Sequence, residues 1–232
     1  MKDRQRSLPL QPAEAAMGRD DFIVGPGNEV AFAMLESWPQ GWNARKLALV
    51  GPGGAGKTHL TRIWAAASGA SILASVDLAS ADIPALSHGP VAVEDIALIA
   101  GDREAEEALF HLHNLTLAEG NTLLVTSRTA PSRWPLVIAD LASRMQACPT
   151  VMIDAPDDAL LGGLLIKFFT DHQIMPNPDV IPFLLPRIER SFSAARRIAA
   201  ALDAQSLAEK RPVTRSMAAR VLEWLEQESS RR

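Results

Sequence analysis

A single cysteine, Cys148, excludes an internal disulfide and fits a reducing cytoplasm. No apolar run reaches the length needed to cross a bilayer. The first residues, "MKDRQRSLPLQ", lack the apolar stretch of a secretory signal. Nor is there an excess of positive charge. The net charge is −4, which argues against a general nucleic-acid binder, since such a protein needs a basic surface to displace counterions. Internal repeats and low-complexity segments are also missing. What remains is ordinary for a chain that buries a core, with 47% hydrophobic and 22% charged residues over 232 positions.

Residues 1–21 are polar, carry prolines at 9 and 12, and show no periodicity, so they read as a flexible tail. In "FIVGPGNEVAFAMLESW", Asn28 is a candidate cap for a helix whose apolar stripe is Val30, Met34, Leu35 and Trp38. "KLALVGPGGAGKTHLTRIWAAASG" then runs strand, glycine loop and helix, with Gly69 as its stop. Further short apolar runs occur at "SILASV", "VAVEDIALI", "NTLLVTS" and "TVMI". A helix over Asp102 to Ala118, with Ala105, Leu109, Leu112 and Leu115 on one stripe and Gly120 closing it, separates two of them. Strands alternating with helices imply a parallel α/β sheet. After Pro156 the strand signals stop, and residues 157–173, 179–189, 192–207 and 214–228 read as helices. The expected organisation is a tail over 1–21, an α/β domain over 22–155 and a small all-helical domain over 156–232.

"GPGGAGKT", Gly51 to Thr58, is the P-loop pattern in its strand–loop–helix setting. Gly53, Gly54 and Gly56 allow the backbone, with Ala55 between them, to wrap phosphates with its N–H groups. The helix that begins near Lys57 adds its positive end. Lys57 is expected to reach the β- and γ-phosphates and Thr58 to bind Mg²⁺. "VAVED" supplies acids at a strand end, where an Asp for the Mg²⁺ shell is normally followed by the acid that orients water. Here Glu94 precedes Asp95, so each carboxylate is one methylene off that arrangement, and slow hydrolysis by this chain itself is expected. Thr126 or Ser127, at the end of "LLVTS", is placed either to sense the γ-phosphate or to cap the next helix. "ADLASRM" reads as the end of an amphipathic helix with Leu141 and Met145 on one face and Arg144 among small neighbours. An arginine there is also what a helix C-terminus favours by its dipole alone.

These motifs, in this order and spacing, resemble the DnaA-type AAA+ family of bacterial replication initiators across residues 20–228. "FIVGPGN" resembles the segment that lies against adenine, which makes Val24 a nucleotide contact. "GKTHL" resembles the initiator form of the P-loop helix and brings in His59, although spacing alone reads that residue as packed or solvated. "EDIALIAGDREAEEALFHLHN" resembles the Walker-B strand and the helix after it, "DLASR" the arginine-finger segment, and "ARRIAAALD" the sensor-2 helix. The resemblance implies an AAA+ sheet domain with a helical lid, ADP or ATP with Mg²⁺ held by Thr58 and Glu94, and Arg144 acting in trans. It also implies Arg196 as the sensor-2 residue, with Arg197 an open alternative. No DNA-binding helix-turn-helix is expected after "LEWLEQESSRR", hence no sequence-specific DNA binding. "QRSLPL" resembles the hexapeptide that binds the β sliding clamp, through Gln5, Leu8 and Leu10, with Arg6 where leucine is common. The expected role is a cytoplasmic regulator acting on DnaA, with homo-oligomerisation open. A helicase loader or adaptor is the alternative, and a self-sufficient P-loop kinase a more distant one.

Overall fold

The computed structural model describes residues 18–229; Gln5, Leu8 and Leu10 therefore lie outside the described residues. Five parallel strands form one sheet in the order β2-β3-β4-β1-β5. They are β1 (Lys46–Val50), β2 (Ser71–Ala74), β3 (Val91–Glu94), β4 (Leu123–Ser127) and β5 (Thr150–Met152). All but the first residue of β1 are buried, and β4 is buried throughout, as continuous apolar runs require when helices cover both faces. The helices in this part are α1 (Glu29–Glu36), α2 (Lys57–Ser68), α3 (Ile83–Ser87), α4 (Arg103–Ala118) and α5 (Ala139–Gln146).

One core lies on the face covered by α3, α4 and α5, the other under α1 and α2 around Trp42 and Trp64. Among the described residues after β5 the regular elements are all helices: α6 (Asp158–Asp171), α7 (Val180–Leu184), α8 (Phe192–Glu209) and α9 (Arg215–Ser229). These enclose their own core, with Leu161, Leu164, Phe169, Ala195, Ile198 and Leu202 at its centre. Among the described residues no helix is long and apolar enough to cross a membrane.

Several local expectations are corrected. The apolar stripe of α1 is Ala31, Phe32 and Leu35, whereas Val30 is 63% exposed and Trp38 falls beyond the helix. Phe32 stacks on Phe22 at 5.5 Å, an aromatic contact from outside the helix that sets its rotation. Asn28 holds the N-cap position of α1, its carbonyl accepting from the Phe32 N–H at 2.9 Å, but its side chain makes no capping bond. Its Oδ1 accepts from the Gly25 N–H and its Nδ2 donates to the Ile23 carbonyl, so it fixes the preceding loop instead. Leu115 is also half-exposed, and Thr116 takes its place on the buried face of α4. "ADLASRM" is nearly the whole of the eight-residue α5, not the end of a longer helix, with Leu141 and Met145 inward as expected. The helix expected over 179–189 spans only Val180–Leu184.

Candidate functional site

The loop Gly51 to Gly56 joins β1 to α2 at the carboxyl edge of the sheet. A Cβ at Gly51 would overlap the Ile153 carbonyl, so this position tolerates no side chain. Gly54 and Gly56 have φ of +73° and +107°, a region that only glycine adopts without strain. Lys57 is buried, and its Nζ donates to the Gly51 and Pro52 carbonyls at 2.7 and 2.9 Å, inside the curve of the loop. Burial pushes its pKa down; Asp95 and Glu94 oppose the shift, and Arg128 adds to it.

The acids close the second side. Asp95 sits just after β3 with φ of +58°, locked by two contacts to its backbone. Its N–H donates to the Thr126 hydroxyl at 3.1 Å, and its carbonyl accepts from the Ser75 hydroxyl at 2.9 Å. Glu94 is half-buried, and its Oε1 is buried with no hydrogen-bond partner. A buried carboxylate oxygen left unmatched is costly unless a cation or water meets it. That oxygen and the hydroxyl of exposed Thr58, at the start of α2, are hard oxygen donors of the kind a Mg²⁺ ion takes beside water and phosphate. Among the described residues no three His, Cys, Asp or Glu side chains cluster as a protein-only metal cage. Ser127 is fully buried; its hydroxyl accepts from the Thr129 N–H, and its carbonyl accepts from Gly51.

The third side is α8. A cavity of about 450 Å³ lies between the loop and this helix, lined by Gly54, Lys57, Thr58, His59, Phe192 and Arg196 among others. Arg197 lines it too, so the choice between Arg196 and Arg197 stays open. Arg196 also lies over the Phe168 ring at 5.4 Å. Buried His59 packs edge-on against Phe22, with Nε2 3.0 Å from the Gly18 carbonyl, and burial pushes its pKa down. Phe22 also stacks on Phe192 at 5.9 Å, which joins the lead-in segment to α8. Val24 is 44% exposed beside this region but does not line the cavity.

Arg144 is elsewhere. It is exposed on α5, its guanidinium 5.3 Å from the centre of the Phe110 ring. Its carbonyl accepts from Lys46 Nζ at 2.8 Å. Lys46 opens β1, whereas the P-loop follows Val50, so Arg144 belongs to the amino edge of the sheet.

Three important residues carry weaker signals. Ser191 caps α8 through its hydroxyl, which the S-x-x pattern of "SFSA" allows. Arg128 follows the strand whose hydroxyls draw attention first. Glu106 is fully buried and accepts from the N–H groups of Gly101, Val137 and Ile138. Nothing in the spacing marks it out from Glu104 or Glu107.

No family model matches the chain. It is 26% identical over 212 residues to the chromosomal replication initiator protein DnaA of Caulobacter sp. (strain K31), covering 79% of this chain. The chain spans 43% of that relative's length. Among solved structures, domain III of the Thermotoga maritima replication initiation protein DnaA matches with a TM-score of 0.75 at 19% identity, over 93% of this chain and 98% of that one. A replication initiator DnaA bound to AMPPCP and single-stranded DNA matches at 0.68 and 20% identity, over 82% and 66%. A variant of Thermotoga maritima RuvB matches at 0.69 and 17% identity, over 90% and 72%. The fold is therefore a DnaA-like AAA+ fold.

Proposed function

We propose that this chain is an Hda-like regulator of chromosome replication, which binds the sliding clamp and stimulates hydrolysis of ATP held by DnaA. The observation that carries this reading is the placement of Arg144. Its backbone is hydrogen-bonded to Lys46 at one end of β1, and the chain's own P-loop lies at the other. Four strand steps separate Lys46 from Val50, a span of about 13 Å. An exposed guanidinium at that edge serves a nucleotide on another molecule better than its own. A trans arginine is worth about 10³–10⁵ in rate in the best-studied nucleotide hydrolases.

In this reading residues 22–155 hold ADP or ATP and residues 156–232 form the lid. Gly51, Gly53, Gly54, Ala55 and Gly56 supply backbone N–H groups, and Lys57 the ammonium, for the phosphates. Thr58 and Glu94 hold Mg²⁺, which supplies charge neutralisation. Asp95 faces the water, Thr126 or Ser127 senses the terminal phosphate, and Val24 and His59 border the adenine side. Arg196, with Arg197 the alternative, reports occupancy to the lid. Likeness to nucleotide-bound DnaA supports the adenine nucleotide. Gln5, Leu8 and Leu10 tether the chain to the clamp, raising its effective concentration at the replisome.

The test is hydrolysis of labelled ATP pre-bound to DnaA, with clamp-loaded DNA, after adding this protein or its Arg144→Ala variant. Acceleration by the wild type alone is expected. If neither accelerates hydrolysis while both bind the clamp, the reading fails and a helicase loader becomes the better one.

A further inference from the structure

Gly54 and Gly53, adjacent in the phosphate loop, face different neighbours. Gly54 meets Ser191 and Ser193 of the lid side, and Gly53 meets Arg128. A Cβ at Gly53 would stand 3.6 Å from Arg128 Cζ and 3.7 Å from Nη2, so the bare glycine leaves the guanidinium lying along the loop. The backbone beneath it is fixed to the same loop. Ser127 immediately before accepts the Gly51 N–H at 3.1 Å, and the Ser127 hydroxyl accepts from Thr129 just after.

Arg128 is exposed, and no carboxylate pairs with it among the described residues. It lies close enough to Lys57 to disfavour that residue's charge. Asp95 and Glu94 partly offset the charge of Lys57, whereas Arg128 has no carboxylate partner among the described residues, and an anion between the two cations removes their mutual repulsion. A guanidinium offers a planar fork of donors suited to phosphate oxygens, and it never loses its proton at physiological pH.

We propose that Arg128 is a phosphate ligand in cis. It holds the terminal phosphates of a nucleoside di- or triphosphate against Gly53 from the side opposite the lid, and it lets binding persist without a divalent cation. The proposal rests on the nucleotide-site reading above. It gives a use to an arginine that the P-loop, Walker-B and lid motifs do not account for.

The experiment is titration of the full chain with ADP, in excess Mg²⁺ and in excess EDTA, for the wild type, Arg128→Ala and Arg128→Lys. A charge-assisted contact to phosphate corresponds to about tenfold in affinity or more. The wild type should bind in EDTA within about tenfold of its Mg²⁺ affinity. Arg128→Ala should lose about tenfold or more in EDTA and clearly less in Mg²⁺, with Arg128→Lys between the two. Melting temperatures without nucleotide should match across all three proteins. An unchanged EDTA-to-Mg²⁺ ratio in Arg128→Ala overturns the proposal. So does equal loss in both buffers with a lowered melting temperature, which marks a structural role. If the wild type binds no ADP in either buffer, the nucleotide reading fails and takes this one with it. If the wild type binds only with Mg²⁺, the nucleotide reading survives and the role of Arg128 does not.

Discussion

The Phe192 N–H donates to the Gly54 carbonyl at 2.8 Å, so the first residue of α8 is bonded directly to the phosphate loop. A loop that shifts to admit phosphates must carry the start of α8 with it, and Arg196 and Arg197 stand one turn further along that helix. The link between the loop and α8 is thus one backbone hydrogen bond, with the Ser191 side chain packed beside Gly54.

Gly54→Ala tests this link. The added Cβ would overlap Ser191 Cβ at a position with φ of +73°, so both strain and collision oppose it. The expected cost is about 1–3 kcal/mol of stability. Nucleotide affinity should fall more than for Gly69→Ala, which has the same kind of φ but open space around it. Equal nucleotide affinity for the two variants would show that the contact with α8 does not matter.

Glu106 organises the approach to Arg144. Its buried carboxylate accepts from Val137 at 2.9 Å and Ile138 at 2.9 Å, just ahead of α5, and from Gly101 at 2.8 Å. Glu106→Ala removes a fully buried carboxylate and leaves three backbone donors without the partner that holds them. The expected loss is on the order of 3–5 kcal/mol, far beyond the small effect of Glu104→Ala on the exposed face. Denaturant unfolding of the two variants measures the difference.

The contrast between Glu106 and the P-loop marks what a single chain makes legible. Strands β1 and β4 are readable because burial on both faces demands unbroken apolar runs. The P-loop is readable because its chemistry is local, with all its donors within eight residues. Glu106 and Lys46 act on segments about 30 and 98 residues away, so no local pattern records them. The buried face of α1, though not the helix itself, escapes the pattern for a related reason, since Phe22 on a neighbouring segment stacks on Phe32.

Acid should weaken the fold through two histidines. Burial lowers the pKa of His59 and of His113 below the ordinary value of 6.5. A folded pKa below the unfolded one means that the unfolded chain binds protons more readily. Their contribution is therefore complete above about pH 6.5 and is lost as pH falls through the lower, folded values. The urea midpoint should drop between pH 7 and pH 5 in the wild type. His59→Gln combined with His113→Asn should flatten that slope, and an unchanged slope would assign the acid sensitivity to other groups.

Lys46 is the clearest candidate for a residue that works through Arg144. Its ammonium donates to the Arg144 carbonyl at 2.8 Å in the last turn of α5, where carbonyls otherwise lack partners, and lies 3.4 Å from His113 Nε2. Burial lowers its pKa, and the Arg144 charge disfavours it further, so the contact is kept against some electrostatic cost. Lys46→Met keeps the apolar stem and removes the donor. Stability should change by about 1 kcal/mol, the worth of one such bond. On the function proposed above, stimulation of DnaA-bound ATP hydrolysis should fall several-fold at saturating protein, because Arg144 is less firmly aimed, while the half-saturating concentration changes little. Lys46→Arg, which restores a donor of similar reach, should recover part of the rate. A raised half-saturating concentration with an intact maximal rate would instead mean that Lys46 serves docking and leaves the aim of Arg144 untouched.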